Sequence, residues 1–432
     1  MSKFLSLIVI TLFISACASN TPQPPPLSDA DQIATIVAGT LSAMPPTEIP
    51  ATPTPPMEGF SINGQLQGTL AFIRNNNLWI SVDGVETQLT NDATGVPGLW
   101  YGRPQISPDG TKIAYLKYSG YDAITLMVYD IGSRNINQFA NITQVPWSND
   151  SQKIYYPTSN GFDMTTGLET IVVKSINIAT GEIQEHGQYG VQTGCGGGSS
   201  DPADGISTDE NLRTSVGGGS IFNLSPQNNY IIHSITCQQV GLGILDLSTK
   251  QDRIVDENVT KAVISPDGSQ IAAVSDNNIV IFNVVAGIVE TTFPTSEAPR
   301  SLLWDVDGKE ILYSTSRLLN EVALADNVAL TDWASRSFKL NISTLWIVST
   351  ESGESRKIIE LEAHDLKPIF TNGQRSLVVV IENSSKLFDY ISQGNQENVN
   401  DYFPTVNIIE VDLTNSSSNL ITNNTQQASF FK

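Results

Sequence analysis

ISPDGTKIAYL, residues 106–116, and ISPDGSQIAAV, residues 264–274, decide the fold of this chain. Each sets an apolar residue before a Ser-Pro-Asp-Gly turn and an apolar strand after it. Four further copies read WSNDSQKIYYP (147–157), LSPQNNYIIHS (224–234), WDVDGKEILYS (304–314) and FTNGQRSLVVV (370–380). Their turn positions, Gly110, Ser151, Asn228, Gly268, Gly308 and Gly373, stand 41, 77, 40, 40 and 65 residues apart. A period near 40 with two expanded intervals marks a radial β repeat, a propeller.

The phrase is turn chemistry followed by strand chemistry. Proline presets φ, aspartate caps its own backbone and glycine accepts a positive φ. Val, Ile, Tyr and Leu dominate on either side, as strands require. A second apolar strand follows each copy, as in LMVYDI (126–131) and NIVIFNV (278–284), and a polar turn then leads to a fourth, as in NINQF (135–139). Four strands per copy make one blade.

The S-P-D-G-x-x-I-A-Y/F turn and strand resembles the TolB-like, WD40-like propeller repeat of bacterial proteins, most closely over Ile106–Tyr115 and Ile264–Ala273. The resemblance covers roughly residues 68–432. It implies an all-β propeller and carries no catalytic residue with it. The α/β domain that precedes the family's propeller has no counterpart in this sequence.

The ends of the repeat region set the blade count. GTLAFIRNNNLWISVDGVETQLT (68–90) supplies second, third and fourth strands without a first, and QASFFK (427–432) is a first strand with nothing after it. Joined, they complete a seventh blade and remove an exposed strand edge. Seven blades are expected; six or eight follow if a degenerate copy is misread.

Ahead of the propeller, Lys3, the apolar run Phe4–Ile14 and then Ser15-Ala16-Cys17 read as a lipoprotein signal peptide over 1–16, too short to span a bilayer as a mature helix. The ending resembles a lipobox, which implies lipid attachment at Cys17. Residues 17–67 form a Pro/Thr-rich, disordered tether, with PQPPP at 22–26 and MPPTEIPATPTPP at 44–56. Residues 29–43 carry apolar residues at helical spacing and are compatible with a short helix. The expected location is the cell envelope, on the outer face of the cytoplasmic membrane or on the outer membrane, with the lipid as the membrane contact. The net charge of −21, from 44 acidic and 23 basic residues, excludes a basic footprint for nucleic acid. With Cys17 lipidated, Cys195 and Cys237 remain as a disulfide candidate or as two separate thiols.

In a four-stranded blade the second-to-third loops and the blade-to-blade loops share one face. Every long segment falls in that class: 91–103, 157–169, 188–219, 316–343 and 383–404. Binding usually resides on such loops. The candidates there are Trp100, Tyr101, Arg103, Tyr118, Tyr121, Trp333 and Tyr402, alongside Phe162, Phe338, Phe388, Tyr390 and Phe403. Aromatics with arginine suit protein interfaces and sugar surfaces; as core anchors of their own loops they would instead be buried. Residues 317–338 are compatible with a helix, a lid over the channel.

No G-x-S-x-G elbow occurs, the three histidines lack ligand spacing, and DVDG at 305–308 lacks the later glutamate of a calcium loop. No catalytic residue, metal or cofactor is expected. The reading is a monomeric propeller that binds a protein or an envelope glycan through its long-loop face. The alternatives are a glycan lyase, hydrolase or peptidase-like propeller enzyme with acidic residues in the central channel, and a passive spacer.

Overall fold

The computed structural model describes residues 68–95, 98–120, 123–192, 221–236, 241–323, 337–383, 406–425 and 427–431. Among them the strands form seven separate small sheets, arranged as a seven-bladed β-propeller. Blade 1 holds β1 (Thr69–Arg74), β2 (Asn77–Val82) and β3 (Val85–Gln88). Blade 2 holds β4 (Leu99–Ile106), β5 (Lys112–Ser119), β6 (Ala123–Asp130) and β7 (Ile136–Ala140). Blade 3 has three strands, β8 (Lys153–Asp163), β9 (Leu168–Asn177) and β10 (Ile183–Gln192). Its innermost place is marked by one bridge, Trp147 to Ile154. Blade 4 holds β11 (Ile221–Leu224), β12 (Tyr230–His233), β13 (Leu242–Asp246) and β14 (Gln251–Asp256). Blade 5 holds β15 (Val259–Ile264), β16 (Gln270–Ser275), β17 (Asn278–Asn283) and β18 (Val289–Pro294). Blade 6 holds β19 (Ser301–Trp304), β20 (Glu310–Ala323), β21 (Ser337–Ser349) and β22 (Ser355–Leu361). Blade 7 holds β23 (Asp365–Thr371), β24 (Arg375–Ile381), β25 (Val406–Asp412) and β26 (Ser418–Thr425).

The last strand, β27 (Gln427–Phe431), returns to blade 1 as its innermost strand, with order β27-β1-β2-β3. It runs antiparallel to β1 from Thr69↔Phe431 to Ile73↔Gln427. The closure expected from the two ends of the repeat region is therefore present.

The core explains why the phrase's strands are apolar throughout instead of alternating. Side chains on a strand point alternately to the two sheet faces, and each blade is covered on both faces by its neighbours. Thus Leu70 and Phe72 pack into the seam with blade 7, while Ala71 and Ile73 pack into the seam with blade 2. Ile113 and Tyr115 face blade 1; Ala114 and Leu116 face blade 3. Ile271 and Ala273 face blade 4; Ala272 and Val274 face blade 6. The hydrophobic core is a set of inter-blade wedges. The residue that opens the phrase closes the wedge near the axis: Trp147 Nε1 donates to the Gln105 carbonyl at 3.2 Å, and Trp304 Nε1 donates to the Val263 carbonyl at 3.1 Å.

In blades 2, 3 and 5 the first turn is built as the sequence implies. The Ser107, Ser148 and Ser265 hydroxyls donate to Asp109, Asp150 and Asp267 at 2.6, 2.5 and 2.6 Å. Each carboxylate also accepts the backbone N–H two residues on, at 3.0 Å in all three copies. In the drifted copy Asp305 takes over the serine's part, accepting the Lys309 and Glu310 N–H groups at 2.8 and 3.0 Å. Neighbouring turns are tied together on this face. The Asp109 N–H donates to Ser151 Oγ at 3.0 Å, the Asn149 N–H to Asn228 Oδ1 at 3.1 Å, and Gln227 Nε2 to the Asp267 carbonyl at 2.6 Å.

These turns make the fold acid-sensitive. At Asp109 desolvation pushes the carboxyl up, but the Ser107 and Thr111 hydrogen bonds and the Lys112 charge outweigh it and bring the value down to about 2. The Ser148 hydroxyl leads in lowering Asp150, and the Ser265 hydroxyl in lowering Asp267. A carboxyl depressed in the folded state stabilises above its unfolded value of 3.8 and loses that contribution as pH falls toward the folded value. Stability should therefore be flat above about pH 5 and fall steeply below about pH 4. In urea titrations at several pH values, Asp109→Asn, Asp150→Asn and Asp267→Asn together should flatten that slope. Each should cost about 1 kcal/mol at neutral pH once partial exposure is allowed for.

Candidate functional site

Strand alternation sorts the connections into two faces. The first-strand turns just described and the third-to-fourth turns lie on one; the second-to-third connections and blade-to-blade crossings lie on the other, the loop face. Two of the long segments there are not loops. Residues 157–169 are mostly the paired ends of β8 and β9, registered through Phe162↔Glu169 and Asp163↔Leu168. Their turn is closed by Asp163, whose carboxylate accepts the Thr165 N–H at 2.8 Å and whose carbonyl accepts the Gly167 N–H at 2.9 Å. Likewise β20 and β21 stay paired out to Ala323↔Ser337. This corrects the helical reading of 317–338 in its described part. A register shift between Leu318 and Asn320 interrupts the regular pairing there.

The β8–β9 hairpin, flanked by β10, projects from the loop face. The last five residues of β8 are exposed, and so are Phe162 at 48%, Met164 at 86% and Leu168 at 39%. On the β20–β21 hairpin Leu318 and Leu319 are exposed at 52% and 48%. Of these residues the sequence singled out Phe162 as a loop aromatic and Leu319 as part of a helix. Met164, Leu168 and Leu318 carried no signal distinguishing them from core residues.

The aromatic candidates near β4 turn inward. Tyr101 and Tyr118 are buried, and Trp100 is half-buried. Trp100 and Tyr118 stack with ring centres 5.0 Å apart and pack against the wedge between blades 2 and 3. Tyr101 joins the wedge between blades 1 and 2 and donates its hydroxyl to Asp92 at 2.7 Å. Burial, then the bond to Asp92, holds its phenol well above the ordinary value. These three therefore anchor the crossing from blade 1 to blade 2 and do not form an exposed aromatic patch. The cause is strand alternation: Trp100 and Tyr101, paired with Tyr118 and Lys117, point to opposite faces of a blade covered on both, ahead of a bulge between Gly102 and Gln105. Arg103 lies in that bulge and is also buried. Tyr121, Trp333, Tyr402, Cys17, Cys195 and Cys237 fall outside the described residues.

Two histidines serve packing. His186 Nε2 meets Ser175 Oγ at 2.7 Å, and burial, then the charges of Lys153 and Lys250, lowers its pKa. His233 is fully buried beneath the Tyr189 ring, with ring centres 3.7 Å apart. Its Nδ1 reaches the Ser234 carbonyl at 2.9 Å and its Nε2 reaches Asp252 Oδ1 at 2.8 Å. Among the described residues no group of three or more His, Cys, Asp or Glu could hold a metal ion. A shallow depression of about 530 Å³ opens between blades 5 and 6, lined by Asn258, Thr260, Asp276, Asn278 and Pro299 among others.

No family model matches the chain. No curated protein matches it either. Solved structures similar to it include TolB from Acinetobacter baumannii, at 15% identity over 68% of this chain and 64% of TolB, with a TM-score of 0.37. An oligogalacturonate lyase in complex with manganese is 13% identical over 71% of this chain and 79% of the lyase, at a TM-score of 0.44. A prolyl endopeptidase is 12% identical over 85% of this chain, at a TM-score of 0.48; the chain spans 50% of that enzyme's length. At these identities the likeness does not extend beyond the fold.

Proposed function

We propose that the chain is a lipid-anchored, extracytoplasmic binding module that engages a protein or envelope glycan through its loop face. The observation that carries this reading is the projecting β8–β9 hairpin with Phe162, Met164 and Leu168 exposed at its end. Apolar side chains gathered at one hairpin end mark an interaction site in a way that singly scattered ones do not. The innermost strands also weigh against channel carboxylates. Among the described ones Asp365 is the single acid, set against Arg103, Lys261 and Lys367.

Fractionation and co-purification test the reading together. The native chain should be recovered with membranes and bring down one stoichiometric partner. Cys17→Ser should move to the soluble fraction. Phe162→Ser/Met164→Ser should remain membrane-bound and lose the partner by at least about tenfold, since a few apolar anchors dominate such interfaces. A native chain that is soluble, or that brings down nothing, refutes the proposal.

A further inference from the structure

We propose that the depression on the loop face beside blade 5 is a binding site for a neutral sugar. Three connections converge on it. The crossing from blade 4 brings Asn258, the β16–β17 turn brings Asp276 and Asn277, and the crossing to blade 6 brings Pro299. Its volume of about 530 Å³ falls within the range of small-molecule sites, about 300–1,000 Å³. Of the lining residues Val274 and Pro299 are buried and make an apolar floor. Asn258, Thr260, Asp276 and Asn277 are exposed and make a polar rim.

The rim is shaped by local backbone irregularity. Thr260 is the extra residue of a bulge between Val259 and Lys261, and bulges re-aim side chains. Its hydroxyl reaches the Val274 carbonyl only at 3.5 Å, too long to commit it. Asp276 has φ 51°, in the left-handed region that aspartate tolerates better than most residues. Among the described residues none donates to its carboxylate.

Blade 1 shows the same position put to a different use. There Asn77 opens β2 as Asn278 opens β17, and it is buried. Its Oδ1 accepts the Thr90 hydroxyl and the Ala93 N–H, both at 3.2 Å, and so braces the crossing to blade 2. In blade 5 the crossing is fastened to backbone instead, the Thr295 N–H and hydroxyl donating to the Asn277 carbonyl at 2.8 and 2.7 Å. Asn278 keeps the local bond from Nδ2 to the Ser275 carbonyl at 3.3 Å, and its Oδ1 accepts nothing from the described residues. An amide oxygen that is structural in blade 1 is thus left to the depression in blade 5.

The donor set selects the ligand. Amides that donate and accept, beside one carboxylate that accepts, match hydroxyl groups, which do both. The apolar floor suits the C–H face of a sugar ring. A calcium ion takes about six to eight oxygens, and Asp276 is the single acid among the described lining residues. No lysine or arginine is among them, and Asp276 repels an anion. The inference rests on the loop face being the binding face and names the glycan alternative, at a site sharing no residue with the β8–β9 hairpin.

The full-length protein is titrated calorimetrically with glucose, galactose and N-acetylglucosamine, and separately with sodium glucuronate and calcium chloride. Saturable binding of at least one neutral sugar is expected at a Kd of about 1 mM. Asp276→Gly removes the carboxylate and suits the positive φ, so the turn is kept; it should weaken binding at least about tenfold. Phe162→Ser/Met164→Ser should bind the sugar as the wild type does. If no neutral sugar binds while the hairpin variant still loses its co-purified partner, this inference falls alone. It is also overturned if glucuronate or calcium binds in place of a neutral sugar, if folded Asp276→Gly binds as the wild type does, or if the hairpin variant loses the sugar too.

Discussion

A chain ending at Thr425 will not form a cooperative propeller. Removing β27 strips blade 1 of its innermost strand and leaves the Thr69–Ile73 edge of β1 without a partner. It also removes Ala428 from the wedge that holds Leu70 and Phe72, both fully buried. Two ties between the innermost strands of blades 1 and 2 go with it, from the Arg103 N–H to Gln427 and from the Ile106 N–H to Ser429 Oγ. Each lost hydrogen bond costs about 1 kcal/mol, and the uncovered apolar edge adds to that. The total is on the order of 5 kcal/mol or more, comparable with the whole stability of a domain. Circular dichroism on heating should show a broad transition in place of a sharp one, with aggregation through the open edge. A synthetic peptide of residues 426–432 supplied in excess should restore the sharp transition. Unfolding of the truncated chain at the native midpoint would show that the ring is not locked by this strand.

Gly243→Ala is the point substitution expected to do most damage. A Cβ there would sit 2.2 Å from His233 Cε1, 2.5 Å from Nε2 and 2.9 Å from Nδ1. The ring cannot yield, because Tyr189 stacks on it and both its nitrogens are engaged. Either blade 4 distorts or the His233–Asp252 pair breaks, at about 3 kcal/mol or more. Gly190→Ala is the control: its added Cβ would meet only Leu168 Cδ1 at an ordinary 3.5 Å. In a His233→Ala background Gly243→Ala should become far milder, the non-additivity expected of residues in contact. Wild-type stability of Gly243→Ala, measured by urea unfolding, would mean the imidazole does not lie over that glycine.

The radial plan was legible because its signals are local. The serine-aspartate turns, the apolar strands after them and the unmatched strands at 68–90 and 427–432 could each be read from a few neighbouring residues. What escaped depends on pairing across distance. Nothing in TSNGFD says that β8 continues beyond the disc, since that rests on β9 facing it in register. Trp100, Tyr101 and Tyr118 were read as loop aromatics, because their places in two wedges rest on β4 pairing with β5 and on the neighbouring blades that cover both faces. Arg103 was singled out for its type and place; its burial was not visible. Gly243 gave a weak hint, as a glycine inside an apolar strand, without revealing which ring occupied the space.

The zipped first blade has a mechanical corollary. β1 enters at Thr69 and is hydrogen-bonded along its length on both sides, by β27 and by β2. Tension on the chain ahead of Gly68 runs along that strand, at right angles to its inter-strand bonds. The load is shared as shear over both rows at once, whereas a strand held on one side and pulled crosswise peels bond by bond. A load entering at Gly68 is therefore opposed by two rows of bonds together.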